Sequence, residues 1–260
     1  MIYKLSAIDN AKVLEFISKD NARNYFIRLG LEKEKPVFKE IYAQIDGDGN
    51  MRAVLFKRIS GNLQFYADGA YEVEGFTEIL REMEFGRLIS ASSYCDKFSD
   101  KAIFDKVEDG AIIAELKDYK RQYGFGTYHD VIPLSIKDLD EVIELYKKVF
   151  PSFSPREVME EKLKFDRGRG VCIKKNGKLV AVAQSEFEET KTAVIMGVAT
   201  DPDYQNQGLA SKCLETLCKE LLSEGKKLYL QYDNTDAGRI YGRLGFLPID
   251  QVKHYIREVK

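Results

Sequence analysis

The groups best spaced for chemistry lie where small residues open helix amino termini. In "DPDYQNQGLASKCLETL", Asp201 to Leu217, a polar, turn-rich tip runs into Leu209, Cys213, Leu214 and Leu217 at helical spacing. The first amides of a helix lack intrahelical acceptors and carry partial positive charge, so this junction suits a phosphate if the loop lets an anion approach. Gly208 permits the approach and Ala210 adds only a methyl group, while the apolar stripe, continued by Cys218 and Leu221, anchors the helix. A second helix start, "NTDAGRIYGRLGF" from Asn234 to Phe246, sets Asn234, Ala237 and Tyr241 along one short helix ending at Gly245. Glu186 and Glu188, on one predicted strand, and Asp233, at the tip of another, are candidates for accepting a proton.

The elements that must position these groups follow from periodicity. "DVIPL" predicts a strand, and "SIKDLDEVIELYKKVF" a helix capped by Ser135 with Leu139, Val142, Ile143 and Tyr146 on one face. Pro151 ends it, and "PREVMEEKLKF" predicts a second helix. "GVCIKKNGKLVAVAQSEF" reads as a hairpin turning at Asn176 and Gly177, the pairing that best tolerates positive φ. A third strand, "TAVIMGVAT", leads into the Gly208 junction; "KLYLQYD" precedes Asn234, and "VKHYIREV" closes the order β-α-α-β-β-β-α-β-α-β, an α/β layout.

Two motifs now stand in register: Q-x-x-G-x-A at Gln205 to Ala210, after a strand and Asp-Pro, and N-x-x-A-x-x-I-Y-x-x-x-G-F from Asn234. Together they resemble the acyl-CoA-binding core of the GNAT superfamily of N-acetyltransferases, over about 130 residues from Tyr128 to the carboxyl terminus. The resemblance implies a mixed, mostly antiparallel twisted sheet flanked by helices, with acetyl-CoA as cosubstrate. It further implies that the amides of Gln205, Asn206, Gln207, Gly208, Leu209 and Ala210 cradle the CoA pyrophosphate. Val198, Ala199 and Thr200 would pair with the pantetheine arm, an amide near Val198 would face the thioester oxygen, Asn234 would hold the arm from the other side, and Tyr241 would sit by the sulfur.

The expected reaction is direct attack of a primary amine of a small molecule on the thioester. CoA leaves as a thiolate whose parent thiol has an ordinary pKa near 8.5, so the nearby Tyr241 hydroxyl can protonate it or hydrogen-bond to it, which makes Tyr241 the candidate general acid. A lysine-like amine is almost wholly protonated at neutral pH, so a carboxylate reached through water would help. Glu186 leads as that base, because alternation from Val182 sets it apart from the core-facing residues. No metal is required. His129 and His254 read as structural, and the loop "DRGRG" as a solvated turn, with contact of Arg167 or Arg169 to phosphate the alternative. A non-catalytic acyl-CoA sensor, a longer acyl donor and a peptide amino terminus as acceptor stay open.

The front half repeats part of the element order. "VFKEIYAQIDGDGNMRAVLFKRIS" predicts a hairpin around Asp48 to Asn50, "LQFYADG" a strand, "GFTEILREM" a helix, "RLISAS" a strand, "SDKAIFDKV" a helix and "GAIIAEL" a strand. Two similarly folded halves are therefore expected, residues 1–125 and 126–260, with the seam at Gly124 and Gly126. The front copy is degenerate: it has no Q-x-x-G-x-A, Glu72 and Glu74 would repel a pyrophosphate, and Phe104 stands where the repeat would put the hydroxyl of Tyr241. It is expected to wall the acceptor cleft or to stabilise or dimerise the protein.

Composition bounds the rest. With 44% hydrophobic and 32% charged residues and a formal net charge of −2, the 260-residue chain has no overall basic field for nucleic acid or an anionic membrane. No apolar run approaches the roughly 20 residues that span a bilayer, and "MIYKLSAIDNAKV" lacks a signal-peptide core. A cytoplasmic monomer or homodimer is expected. Cys95, Cys172, Cys213 and Cys218 have no C-x-x-C spacing and are expected as buried thiols.

Overall fold

The computed structural model describes residues 1–6, 9–31, 36–119, 128–165 and 167–258. Contacts divide the chain into Met1–Ile113 with Pro248–Lys260, and Ala114–Leu247. The expected seam at Gly124 and Gly126, and with it the boundary between residues 125 and 126, lies outside the described residues.

The front unit begins with β1 (Ile2–Lys4), α1 (Asn10–Ile17) and α2 (Asn21–Leu31), then β2 (Phe38–Ile45), β3 (Met51–Arg58), β4 (Leu63–Ala67), α3 (Val73–Glu82), β5 (Arg87–Ala91), α4 (Ser92–Cys95) and β6 (Lys106–Leu116). Strands β1 to β4 are successively antiparallel, and β4 reaches β5 in parallel through α3. The helix expected over Ser99 to Val107 is absent. Helical turns instead begin at Ser92, continue as a 3₁₀ segment to Lys101, and stop where Ala102 takes a left-handed φ of 50°. Phe104 therefore follows the helix and packs on Phe85 and Tyr255, so it is no counterpart of Tyr241.

The back unit contains β7 (Val131–Pro133), α5 (Leu139–Val149), α6 (Arg156–Lys164), β8 (Gly170–Lys175), β9 (Lys178–Glu186), β10 (Thr192–Thr200), α7 (Leu209–Ser223), β11 (Lys227–Tyr232) and α8 (Thr235–Leu244), and leads into β12 (Phe246–Ile256). Ser135 and Asp138 form a capping box before α5, and the β8–β9 turn uses positive φ at Asn176 and Gly177, as the turn chemistry predicts. Strands β7 to β10 are antiparallel neighbours, and β10 reaches β11 in parallel through α7. Hairpin, third antiparallel strand, helix and parallel strand thus occur twice in the chain. Both units are mixed, mostly antiparallel sheets with helices on them.

Alternation sorts the back sheet into two faces. Val171 and Ile173 pack with Leu214, Leu217 and Leu221 of α7, whereas Cys172 between them packs with Leu139, Val142 and Leu145 of α5. The whole α7 stripe from Leu209 to Leu221 is buried, each leucine contributing roughly 1.5 to 3 kcal/mol. All four cysteines are buried and free. Among the described residues, no helix is long and apolar enough to cross a membrane.

The last strand departs from expectation. Residues 248–260 group with the front unit, where β12 pairs antiparallel with β5 from Val252↔Ala91 to Ile256↔Arg87. The buried Asp250 carboxylate accepts hydrogen bonds from Arg23 (2.6 Å), Ser92 (2.9 Å) and Ser93. Burial would raise this carboxyl, but those hydrogen bonds outweigh it and hold it below the usual range.

Candidate active site

The site starts from a parting of strands. β10 and β11 pair at Thr192↔Lys227, Ala193↔Leu228 and Val194↔Tyr229 and no further, although β10 continues to Thr200 and β11 to Tyr232. On its other edge β10 stays with β9, but the register skips between Met196↔Gln184 and Ala199↔Val182, so Gly197 and Val198 together oppose Ala183. This is a β-bulge, and it reverses the alternation: Ala193 and Ile195 pack on the α7 face, yet Ala199 packs with α5. From Ile195 to Thr200 the edge of β10 toward β11 has no strand partner among the described residues, the kind of edge an extended ligand can pair with.

The Gly208 junction follows at the end of β10. Asp201 accepts a hydrogen bond from the Asp203 amide (3.1 Å) and an ion pair from Lys148 (2.7 Å), fixing the turn Pro202–Tyr204. Asn206 (φ 60°) and Gly208 (φ 72°) then take left-handed backbones, and α7 begins at Leu209. The amides of Asn206, Gln207, Gly208, Leu209, Ala210 and Ser211 donate to no acceptor among the described residues; the first helical bond is from Lys212 to the Gly208 carbonyl (3.0 Å). The Gln207 side chain turns to Lys175 (2.7 Å).

Helix α8 forms the other bank. Its N-cap is Asn234, whose Oδ1 accepts from the amides of Asp236 (2.8 Å) and Ala237 (3.3 Å). Tyr241 is buried to 8% exposure against Tyr232 and Phe246, and its hydroxyl makes no hydrogen bond among the described residues. Burial, with smaller effects from Cys218 and Tyr232, pushes its phenol up to about 12, so it stays protonated at neutral pH.

A cleft of about 1050 Å³ brings together Val198, Ala199, Thr200, Gln205, Asn206, Gly208, Leu209, Ala210, Asn234 and Tyr241. Gln207 and Glu186 do not line it. Arg239 and Arg243 do, one turn apart on α8; their i, i+4 spacing within "GRIYGR" was the available signal for a basic wall.

The candidate carboxylates separate by environment. Glu188 is engaged by Arg169 (2.7 Å), Ser185 and Lys226 (3.4 Å); burial would raise its carboxyl, and these partners outweigh burial and hold it low. Arg169, bound to Glu188 and Glu224, is away from the cleft lining, and Asp166 of the same loop lies outside the described residues. Asp233 is exposed at the end of β11, and neither histidine lines the cleft. Glu186 is buried to 7% exposure with Oε2 unpartnered among the described residues; burial raises its carboxyl, opposed by the charge of Lys162.

Lys162 itself is buried, and desolvation, partly offset by Glu186 and Glu188, lowers its ammonium from 10.5 to about 8. The unfolded chain therefore holds this proton more tightly than the folded one. Stability should rise as pH increases from about 8 toward 10.5, by roughly 3 kcal/mol at most from this group. Urea unfolding across that range should show the rise in the native protein and a flatter profile in Lys162→Met; parallel profiles would exclude this origin.

The parted sheet, its bulged strand and the open helix start belong to a fold shared with solved GNAT acetyltransferases. Residues 139–246 match the model of the acetyltransferase (GNAT) family. An uncharacterised N-acetyltransferase of Methanocaldococcus jannaschii is 26% identical over 141 residues, 47% of this chain and 62% of the relative. The chain spans between 51% and 62% of the length of the curated relatives it matches. A GNAT-family acetyltransferase from Colwellia psychrerythraea superposes with a TM-score of 0.71 at 11% identity, over 99% of this chain and 100% of that one. A tandem GNAT protein from the clavulanic acid biosynthesis pathway does so with a TM-score of 0.61 at 11% identity, over 100% and 99%. With the repeated element order, these likenesses give the chain a tandem GNAT fold.

Proposed function

We propose that the back unit binds acetyl-CoA and transfers its acetyl group to the primary amine of a small molecule. The observation that carries this reading is the run of six amides, Asn206 to Ser211, without acceptors among the described residues, at a left-handed glycine beside the parted strands. Donors of this kind fit a pyrophosphate, and the free edge of Val198, Ala199 and Thr200 fits the amide-bearing pantetheine arm. Asn234 uses Oδ1 for its cap, which leaves Nδ2 to hold that arm from the α8 side. Bound acetyl-CoA supplies an activated acyl group that an amine attacks directly while the thiolate departs.

The chain's own residues have three tasks. The Val198 amide, in the bulge, stabilises charge building on the acyl oxygen, an effect worth roughly 3 kcal/mol when well aimed. Tyr241, protonated and hydrogen-bonded to no described residue, gives its proton to the thiolate. Glu186 takes the amine proton. It pairs with Val194, four residues before Val198, or about 13 Å along an extended strand, so the proton crosses bound water. Glu186→Gln should lower kcat/KM about 10- to 100-fold near pH 7 and progressively less above pH 9, where the amine deprotonates unaided. A pH-independent defect would remove Glu186 from this role.

The front unit supports a single-site reading. Its strands β4 and β5 also pair at one point only, Leu63↔Leu88, but Phe65 there is fully buried against Tyr71, Phe76 and Phe98. Glu72 and Glu74 stand at the start of α3, where an anion would otherwise dock. One acetyl-CoA per chain is expected by calorimetry. The direct test is thermal shift with acetyl-CoA, followed by thiol release across a panel of amines. No shift at saturation ends the proposal; a shift without thiol release from any amine turns it into a sensor.

A further inference from the structure

We infer that Lys162, Gln184 and Tyr146 form a one-directional hydrogen-bonded strut that aims the Val198 amide, making them positioning residues for acyl transfer; this rests on the function proposed above. The strut is continuous and buried. Lys162 Nζ donates to Gln184 Oε1 (2.6 Å), Gln184 Nε2 donates to the Tyr146 hydroxyl (2.6 Å), and that hydroxyl donates to the Gly197 carbonyl (2.8 Å). Exposures are 6% for Lys162, 1% for Gln184 and 4% for Tyr146, so water does not substitute for any link.

Its direction is set at the far end. An ammonium only donates, so Lys162 forces the Gln184 amide to present its oxygen to Nζ and its NH₂ group to Tyr146. The tyrosine hydroxyl, having accepted one hydrogen bond, sends its single proton to Gly197. With the amide reversed, that proton would go to Gln184 and the Gly197 carbonyl would lose its donor.

The consequence for Val198 follows from peptide geometry. The Gly197 carbonyl and the Val198 amide belong to one planar unit, and the chain has no cis peptide among its described residues. Holding the carbonyl on Tyr146 of α5 therefore points the Val198 N–H the opposite way, off the α5 face. Gly197 is what lets the hydroxyl come so near: its φ is +59°, and a Cβ there would lie 1.9 Å from the Tyr146 oxygen. The bulge and the strut thus require each other.

Two substitutions separate aiming from simple support. Gln184→Glu keeps the size and the contact to Lys162 but offers only acceptors when ionised, so the Tyr146 proton turns away from Gly197. Tyr146→Phe deletes the link. Both should lower kcat at least 10-fold with the KM for acetyl-CoA changed less than 3-fold, and Gln184→Glu should keep the melting temperature within a few degrees. In ligand-free protein, both should speed amide hydrogen exchange from Gly197 to Ala199 while β8 stays protected. Unchanged kcat and unchanged exchange in both variants would overturn the strut. Native protein that shows neither an acetyl-CoA thermal shift nor turnover would instead overturn the acetyl-transfer reading, and the exchange comparison would still decide whether the strut holds the bulge.

Discussion

Gly208→Val should lower the affinity for acetyl-CoA at least 100-fold while leaving the protein folded. Gly208 holds φ 72° and ψ 11°, a left-handed conformation that a β-branched residue adopts only at a cost of about 1 to 3 kcal/mol. The loop relieves that strain by leaving the left-handed well, and doing so re-aims the amides on either side of it. Hydrogen bonds to a charged phosphate are worth about 1.5 to 3 kcal/mol each, so losing two costs roughly a hundredfold or more in affinity. The buried leucines of α7 lie beyond the junction and keep the helix on its sheet. Calorimetry should therefore show binding lost in a variant whose own melting temperature falls by only a few degrees. Undiminished binding would mean that the junction is an ordinary strand-to-helix turn.

Tyr241→Phe should lower kcat about 100-fold and leave acetyl-CoA affinity within about twofold, the range expected of one general acid. The substitution keeps the ring against Tyr232 and Phe246 and removes only a hydroxyl that bonds to no described residue, so little stability is at stake. Because burial pushes the phenol up to about 12, the native protein keeps this hydroxyl protonated across the accessible pH range, and the defect should persist from pH 6 to 9. A Phe variant with native kcat would make Tyr241 a core residue of α8 and leave the thiolate to solvent.

These two predictions were legible in the amino-acid order, because the groups involved are local. A helix start, a cap and a stripe are set by residues within one or two turns of each other, so the α7 start at Gly208, the Asn234 cap and the buried stripe from Leu209 to Leu221 can be read from spacing. The Asn176-Gly177 turn and the repeat of the element order are legible for the same reason. Where two local signals conflicted, the reading failed: Ala102 to Val107 has helical spacing, yet the helical turns had already begun at Ser92 and ended at a left-handed Ala102.

The tertiary structure decided what depends on partners distant in the chain. Asp250 draws β12 to the front unit through Arg23, 227 residues away, a pairing that no window of sequence contains. Glu186 is distinguished from Glu188 by which cations reach it, and both sit on one short stretch of chain. The bulge at Gly197 and Val198 breaks the period of two on which strand reading rests, and a side chain at Gly197 would collide with Tyr146 of α5. The sequence by itself thus determined the local backbone, through motifs that open a helix start at Gly208 and cap another at Asn234, and their resemblance to a family pointed to the class of chemistry. How those amides are aimed was decided only by packing, because a buried hydrogen bond takes its direction from the whole set of groups that share it.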